Sequence, residues 1–316
     1  MNADIEYLDL LHLIREQGIS HNDRTGVGTK SLFGYQFQHD LSTGFPLLTT
    51  KRLSFRWIAE ELFWFLSGST NVNHLRERCD PPITIWDEWA TEEQCAKFGR
   101  EAGDLGPIYG HQWRNYGATN LYDLTTETFN WIYESEQKRW LSPEYDNDGF
   151  DQIKNLMDNL ESETGRLSRR LIISGWNPAE ADQVALPPCH TLFQFKYHEE
   201  LNRLDMELFQ RSADVFLGVP YNIASYSLLL HLVAECCGMA PGVFTHSFGD
   251  VHIYNNHIEQ VDLQLSREPR DLPEIDTNFH EVTGESCFDR LMQMSFGNLR
   301  LENYNPHPAI KAKVAV

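Results

Sequence analysis

Near the start of the chain, Leu8, Leu11 and Ile14 recur at three-residue spacing, the signature of an amphipathic helix. The period then changes. Over residues 32–38 the aromatics Phe33, Tyr35 and Phe37 fall at alternate positions, which predicts a half-buried strand, and the Gly-containing stretch 24–28 before it reads as a loop. Helical spacing returns at 54–66, where Trp57, Ile58, Leu62, Phe63, Phe65 and Leu66 surround Glu60 and Glu61. This predicts a core helix that carries one or two acids inward or toward a cleft. Asp151 is placed to cap a helix bearing Ile153, Leu156, Met157 and Leu160. Residues 171–174, 191–197 and 204–209 then read as strands, and 222–237 as a buried helix.

Between 117 and 149 the periodicity weakens. The segment is acidic and aromatic, with turn clusters at 142–143 and 146–149, and reads as an insertion forming a small lobe, helical in character. Elsewhere strands and helices mix without regular βαβ alternation and without a G-x-G-x-x-G loop. The expected fold class is therefore α+β: one large domain over 1–316 with a mixed, largely antiparallel sheet flanked by helices, and 117–149 inserted within it.

Charge narrows the possible partners. A net charge of -20 over 316 residues argues against DNA or an anionic membrane surface, both of which need a basic footprint. Any anionic ligand must meet a local cluster of cations. The most apolar stretch, 226–239, is broken by His231 and Glu235 and falls short of the roughly 20 residues a bilayer requires. The N-terminal residues lack a secretion pattern. Cys79, Cys95, Cys189, Cys236, Cys237 and Cys287 form neither a disulfide framework nor a zinc ligand spacing, so a reduced, cytoplasmic setting is expected. His246, His252 and His257 fit no metal-ligand pattern either, and no metal is expected.

Several short segments could carry chemistry. In Leu186-Pro187-Pro188-Cys189-His190 two prolines restrict the backbone just before a thiol. A thiolate is a strong soft nucleophile, and neighbouring arginines are expected to lower its pKa, although a lone Cys is more often a buried structural thiol. Arg169-Arg170 and Gln210-Arg211-Ser212 stand at strand ends, where guanidinium forks can grip phosphate; a double Arg is more often a solvated surface feature. Asp214 and Asn222 flank a Gly-containing loop. Asn can complement the O4 and N3–H edge of uracil, yet it serves equally as a helix cap. His252 and Tyr254, alternating on a strand, would point the same way and could meet a ribose hydroxyl together.

Taken together, these segments resemble the thymidylate synthase and pyrimidine hydroxymethylase family. The resemblance runs from about Ile5 to Val316 and is strongest at Asp23-Arg24-Thr25-Gly26, at the Cys189 segment and along 210–226. Further likeness lies at Trp86-Asp87-Glu88-Trp89, 106–110, 249–254 and 305–308. It implies a methyltransferase that converts dUMP to dTMP with 5,10-methylenetetrahydrofolate as carbon and hydride donor, a cosubstrate, with Cys189 attacking C6 of the uracil. It further implies an obligate homodimer, in which Arg169 and Arg170 reach the partner's phosphate site to join Arg24, Arg211 and Ser212. By the same resemblance His190, Gln210, Asp214 and Asn222 line the nucleotide, His252 and Tyr254 hold the deoxyribose, and Glu61 and Tyr109 handle protons. Folate is implied to lie against Lys51, Glu61, Ile85, Trp86, Trp89, Leu186, Asp214, Leu217, Gly218 and Tyr221, under a C-terminal lid that includes Ala315. Lys313 stands where a less polar residue is often found.

Two rival readings differ in chemistry. In a hydroxymethylase of the same family, water captures the methylene intermediate; a cytosine-directed version is expected to carry Asp at position 222, so Asn222 points to uracil. A nucleotide- or RNA-binding protein without turnover would need none of the proton-handling side chains.

Overall fold

The structure, a computed structural model, describes residues 2–22, 25–118, 133–134, 139–140 and 149–314. Helix α1 (Ala3–Gln17) is capped by Asn2, whose side chain accepts the Asp4 N–H at 2.8 Å, and it buries Tyr7, Leu10, Leu11 and Ile14 on one face. Asp4 is buried as well. Its carboxylate takes the backbone N–H and the hydroxyl of both Thr49 and Thr50 at 2.8 to 3.1 Å, which offsets its loss of water. Strands β1 (Ile19–His21) and β2 (Thr29–Asp40) follow and pair antiparallel. The turn between them needs glycine at 28: φ is +77°, and a Cβ there would lie 2.6 Å from the Asn255 side chain.

Helix α2 (Phe55–Ser67) is the core helix expected from its spacing, capped by Ser54 and closed by Gly68 in the left-handed conformation at φ 78°. Short helices α3 (Val72–Arg76), α4 (Glu92–Ala96) and α5 (Tyr109–Arg114) come next. Of the segment 117–149, the described elements are β3 (Tyr133–Glu134) and β4 (Arg139–Trp140), an antiparallel pair. The expected turns at 142–143 and 146–148 lie outside the described residues. Helix α6 (Gln152–Glu161) begins where Asp151 accepts the Lys154 N–H at 2.9 Å.

The main sheet contains β5 (Ile172–Ser174), β6 (His190–His198), β7 (Arg203–Asp214) and β8 (Ala240–Tyr254), in the order β1-β2-β8-β7-β6-β5. Every neighbouring pair is antiparallel except β7 and β8. A parallel pair cannot be joined by a hairpin, and helix α7 (Gly218–Cys236) makes the crossover. Nearly all of α7 is buried, as its apolar composition requires: Ile223, Leu228, Leu229, Leu230, Leu232 and Val233 are wholly inaccessible. The inner face of the sheet supplies Phe193, Phe195, Leu208 and Phe244 to the same core, and α2 packs on α7. The expected α+β architecture, with a mixed, largely antiparallel sheet flanked by helices, is the one observed. Helices α8 (Ile258–Leu265) and α9 (Cys287–Gln293) and the antiparallel pair β9 (Glu274–Asp276) and β10 (Arg300–Glu302) complete the chain.

The outer face of the sheet is different. Phe33, Ile172, Leu192 and Phe209 are exposed there, beside a polar relay in which Gln36 donates to Ser247 at 3.0 Å and Ser247 to Glu207 at 2.7 Å. Among the described residues no helix is long and apolar enough to cross a membrane.

Candidate active site

Cys189 lies at the mouth of β6, where a bulge between His190 and Leu192 breaks the register with β7. Three contacts fix it. Its N–H donates to the Tyr109 hydroxyl from α5 at 2.8 Å, its carbonyl accepts the Arg211 N–H at 2.9 Å, and an Arg211 guanidinium nitrogen lies 3.9 Å from its sulfur. Arg211 is itself aimed by the two prolines, donating to the Pro188 carbonyl at 2.9 Å and the Pro187 carbonyl at 2.9 Å. Its guanidinium also stands 5.1 Å from the centre of the Trp176 ring. The prolines therefore restrict the Cys189 backbone and also orient the cation beside its sulfur.

The charge balance at the sulfur differs from the sequence expectation. Burial raises the Cys189 pKa above its ordinary value, and the Arg211 cation and the Tyr109 hydrogen bond offset only part of that rise. One guanidinium at 3.9 Å returns less than the lost hydration takes away. The expected lowering by neighbouring arginines is thus not met within this single chain.

Around the thiol stand groups held neutral by burial. His190 is pushed down to about 4 by burial, against an opposing contact with Asn222, and its ring lies 4.8 Å from that of Tyr109. Burial, with the nearby Cys189, holds the Tyr109 hydroxyl far above its ordinary pKa. Gln210 is buried between the His246 ring at 2.8 Å and the Ser212 carbonyl at 3.0 Å.

One acid lines the other side. Glu61 on α2 accepts the Trp86 indole N–H at 2.7 Å, and burial raises its pKa to about 7 despite that bond. Glu60, its neighbour in sequence, instead turns into the core and meets Arg78 at 2.6 Å. Trp86 is buried edge-on to Phe65, Tyr109 and Trp89, with ring centres 6.1, 6.1 and 6.5 Å away. Leu186, Leu217 and Tyr221 are partly buried against the same core, and Ile85 is exposed.

Asp214 accepts the N–H groups of Phe216 and Leu217 at 3.0 and 3.1 Å, just ahead of α7. That helix begins at Gly218, so the helix-cap reading of Asn222 is overturned: Asn222 is the fifth helical residue, and Asp214 serves the N–H groups leading into the first turn. Pro220 is tolerated there because a first-turn N–H has no intrahelical partner. A Cβ at Gly218 would lie 3.6 Å from the Asn222 side-chain oxygen. Lys51 turns inward, bonded to the Phe216 carbonyl and 3.8 Å from the Phe216 ring centre, and burial lowers its pKa to about 7 against the pull of Asp214. On β8, His252 meets Asp250 at 2.6 Å, and its ring stands 5.0 Å from that of Tyr254 at 87°.

Arg169 and Arg170 are exposed ahead of edge strand β5, and among the described residues neither is hydrogen-bonded to Cys189 or Arg211. Arg24 and Ala315 lie outside the described residues. Among the described residues no group of three His, Cys, Asp or Glu is placed to hold a metal ion. Trp176 was not singled out in the sequence, where an aromatic in Gly175-Trp176-Asn177 just after a strand was the available signal. His257 was weighed there only as a metal ligand. The structure sets it 3.9 Å from Asp214.

The arrangement can hold a thiol rigidly beside one cation, present neutral donors and acceptors to a flat heterocycle, and offer a second acid poised near neutrality. A comparison with family models agrees with that chemistry: the model described as thymidylate synthase matches residues 5–316.

Proposed function

The chain belongs to the thymidylate synthase family, and from that membership we propose that it converts dUMP to dTMP, taking both carbon and hydride from 5,10-methylenetetrahydrofolate. The observation that carries the reading is the Cys189 sulfur, held by Tyr109 and Arg211, with Asn222 in contact with the adjoining His190. Members of this family are methyltransferases acting in nucleotide synthesis.

In this reading Cys189 adds to C6 of the uracil, which turns C5 into a nucleophilic enolate. Asn222 complements the O4 and N3–H edge, and Asp214 contacts the pterin. Glu61, titrating near 7, exchanges protons through water, and Tyr109 assists removal of the C5 proton. C5 bonds to the methylene carbon of the opened folate before losing that proton; elimination of tetrahydrofolate then leaves an exocyclic methylene, which hydride from the same folate reduces to methyl as the Cys189 sulfur leaves C6, giving dihydrofolate. Trp86 and the C-terminal tail through Ala315 keep water from that intermediate.

The thiol needs more positive charge than Arg211 alone supplies, and a second copy of the chain is the proposed source. Arg24 and Ser212 complete the phosphate site of one subunit, and Arg169 and Arg170 of its partner close it. The open sheet face, with Phe33, Ile172, Leu192 and Phe209 exposed, suits a partner sheet. His252 and Tyr254 hold the deoxyribose, and Lys51, Ile85, Trp89, Leu186, Leu217, Gly218 and Tyr221 line the folate side. The compartment proposed is the cytoplasm.

Incubation with dUMP and 5,10-methylenetetrahydrofolate tests the proposal. Dihydrofolate and dTMP appearing in equal amounts support it. A hydroxymethyl nucleotide without dihydrofolate replaces it with the water-capturing relative, and nucleotide binding without product replaces it with a binding protein.

A further inference from the structure

His257, in the turn between β8 and α8, is fully buried, with its ring 5.5 Å from that of Phe216 and 5.7 Å from that of Tyr254. Its Nε2 lies 2.7 Å from the Lys313 carbonyl oxygen. A carbonyl can only accept, so Nε2 carries the proton and, in the neutral ring, Nδ1 is a bare acceptor. Nδ1 faces the Asp214 carboxylate at 3.9 Å and has no hydrogen-bond partner among the described residues. Asp214 in turn receives the N–H groups of Phe216 and Leu217, and Lys51 holds the Phe216 carbonyl. One imidazole thus stands between the C-terminal tail and the loop that opens α7.

We propose that His257 is a positioning residue that ties the C-terminal tail at Lys313 to the loop that opens α7, beside Asp214, and so sets the tail's place over the folate side of the site. This inference rests on the folate assignment of Asp214 made above. The tie is a single directional hydrogen bond on the tail side and, on the other, the packing of the ring against Phe216. Packing alone would need the ring but not the donor.

The two demands are separable by substitution. His257→Phe keeps a ring between Phe216 and Tyr254 and removes the donor; His257→Gln keeps an N–H that can reach the Lys313 carbonyl. Lys311 and Lys313 are exposed in the tail, so trypsin reads its attachment directly, by intact mass, in the ligand-free full-length enzyme. His257→Phe is expected to speed tail cleavage about fivefold, as the loss of one buried hydrogen bond implies. It is also expected to raise KM for the folate severalfold while leaving dUMP affinity and kcat at saturating folate near wild type. His257→Gln should bring both readings back toward wild type. Unchanged tail cleavage in His257→Phe overturns the tie, and faster cleavage with an unchanged folate KM overturns its link to the folate side of the site. Absence of methyl transfer by the wild-type enzyme refutes the proposed reaction instead, and the cleavage reading, which needs no substrate, stands apart from it.

Discussion

Glu61→Gln should make the protein more stable while disabling it, and the gain should grow with pH. Burial raises the Glu61 carboxyl from 4.5 to about 7, so the folded state binds its proton more tightly than the unfolded chain does. The sign follows from proton linkage: stability is lost as pH rises from 4.5 through about 7, because ionising this acid costs more inside than in water. At about 1.36 kcal/mol per pK unit, the ionised carboxylate costs the fold roughly 0.8 kcal/mol at pH 5 and about 3 kcal/mol at pH 8. These are ceilings, since Glu61 keeps some exposure. Glutamine has no proton to lose, and its carbonyl can still accept the Trp86 indole N–H, so a steady isosteric offset cancels between the two pH values. Urea unfolding of both proteins at one protein concentration, at pH 5 and pH 8, measures the difference. An increase of about 2 kcal/mol in the variant's advantage between the two pH values is expected. A difference that is flat or shrinks with pH refutes the assignment of a raised carboxyl at this position. Activity should fall at least tenfold in the same variant, because the proton-exchanging group is gone.

Other substitutions probe separate contacts. Tyr109→Phe leaves the Cys189 N–H without its 2.8 Å acceptor and should lower kcat by roughly ten- to a hundredfold, with dUMP affinity changed much less, in steady-state assays. Asn222→Asp should move preference toward the cytosine nucleotide, because a carboxylate accepts from a 4-amino group; unchanged selectivity in competition assays discards the account of base reading. Mixing Arg169→Ala subunits with Cys189→Ser subunits should restore part of the activity that each lacks alone. No recovery after subunit exchange counts against arginines shared across a dimer.

Local periodicity carried much of the fold. The three-residue spacing of Leu8, Leu11 and Ile14 and the alternation of Tyr35 and Phe37 are direct imprints of a helix and a strand lying on a core, and both elements are present, whereas Phe33, before Gly34 in the left-handed conformation, is exposed. Asp151 was legible as a cap for the same reason: capping is a local hydrogen bond. The parallel pairing of β7 with β8 was not legible, because it depends on where α7 lays its apolar surface, a long-range matter. Within the site, residue types at Cys189, Arg211 and Asp214 stood out, whereas their mutual geometry did not. Glu60 and Glu61 were indistinguishable by spacing, and only the packing gives one to Arg78 and the other to Trp86. The sign of the Cys189 shift was missed because burial is a property of the assembled core and outweighs a single nearby cation. His257 escaped because its partner, a backbone carbonyl 56 residues away, leaves no trace in a side-chain pattern.

The central claim is covalent addition of the Cys189 sulfur to C6 of a uracil nucleotide, and its most direct consequence lies at the neighbouring carbon. Once C6 is saturated, C5 becomes carbanion-like and its hydrogen is passed to solvent before any methyl group is made. dUMP deuterated at C5, followed by NMR with the folate present, should lose deuterium to water in step with product formation in the wild-type enzyme. In Cys189→Ser that loss should fall by at least about a thousandfold while nucleotide binding persists. Deuterium loss at a similar rate from the serine variant contradicts the account.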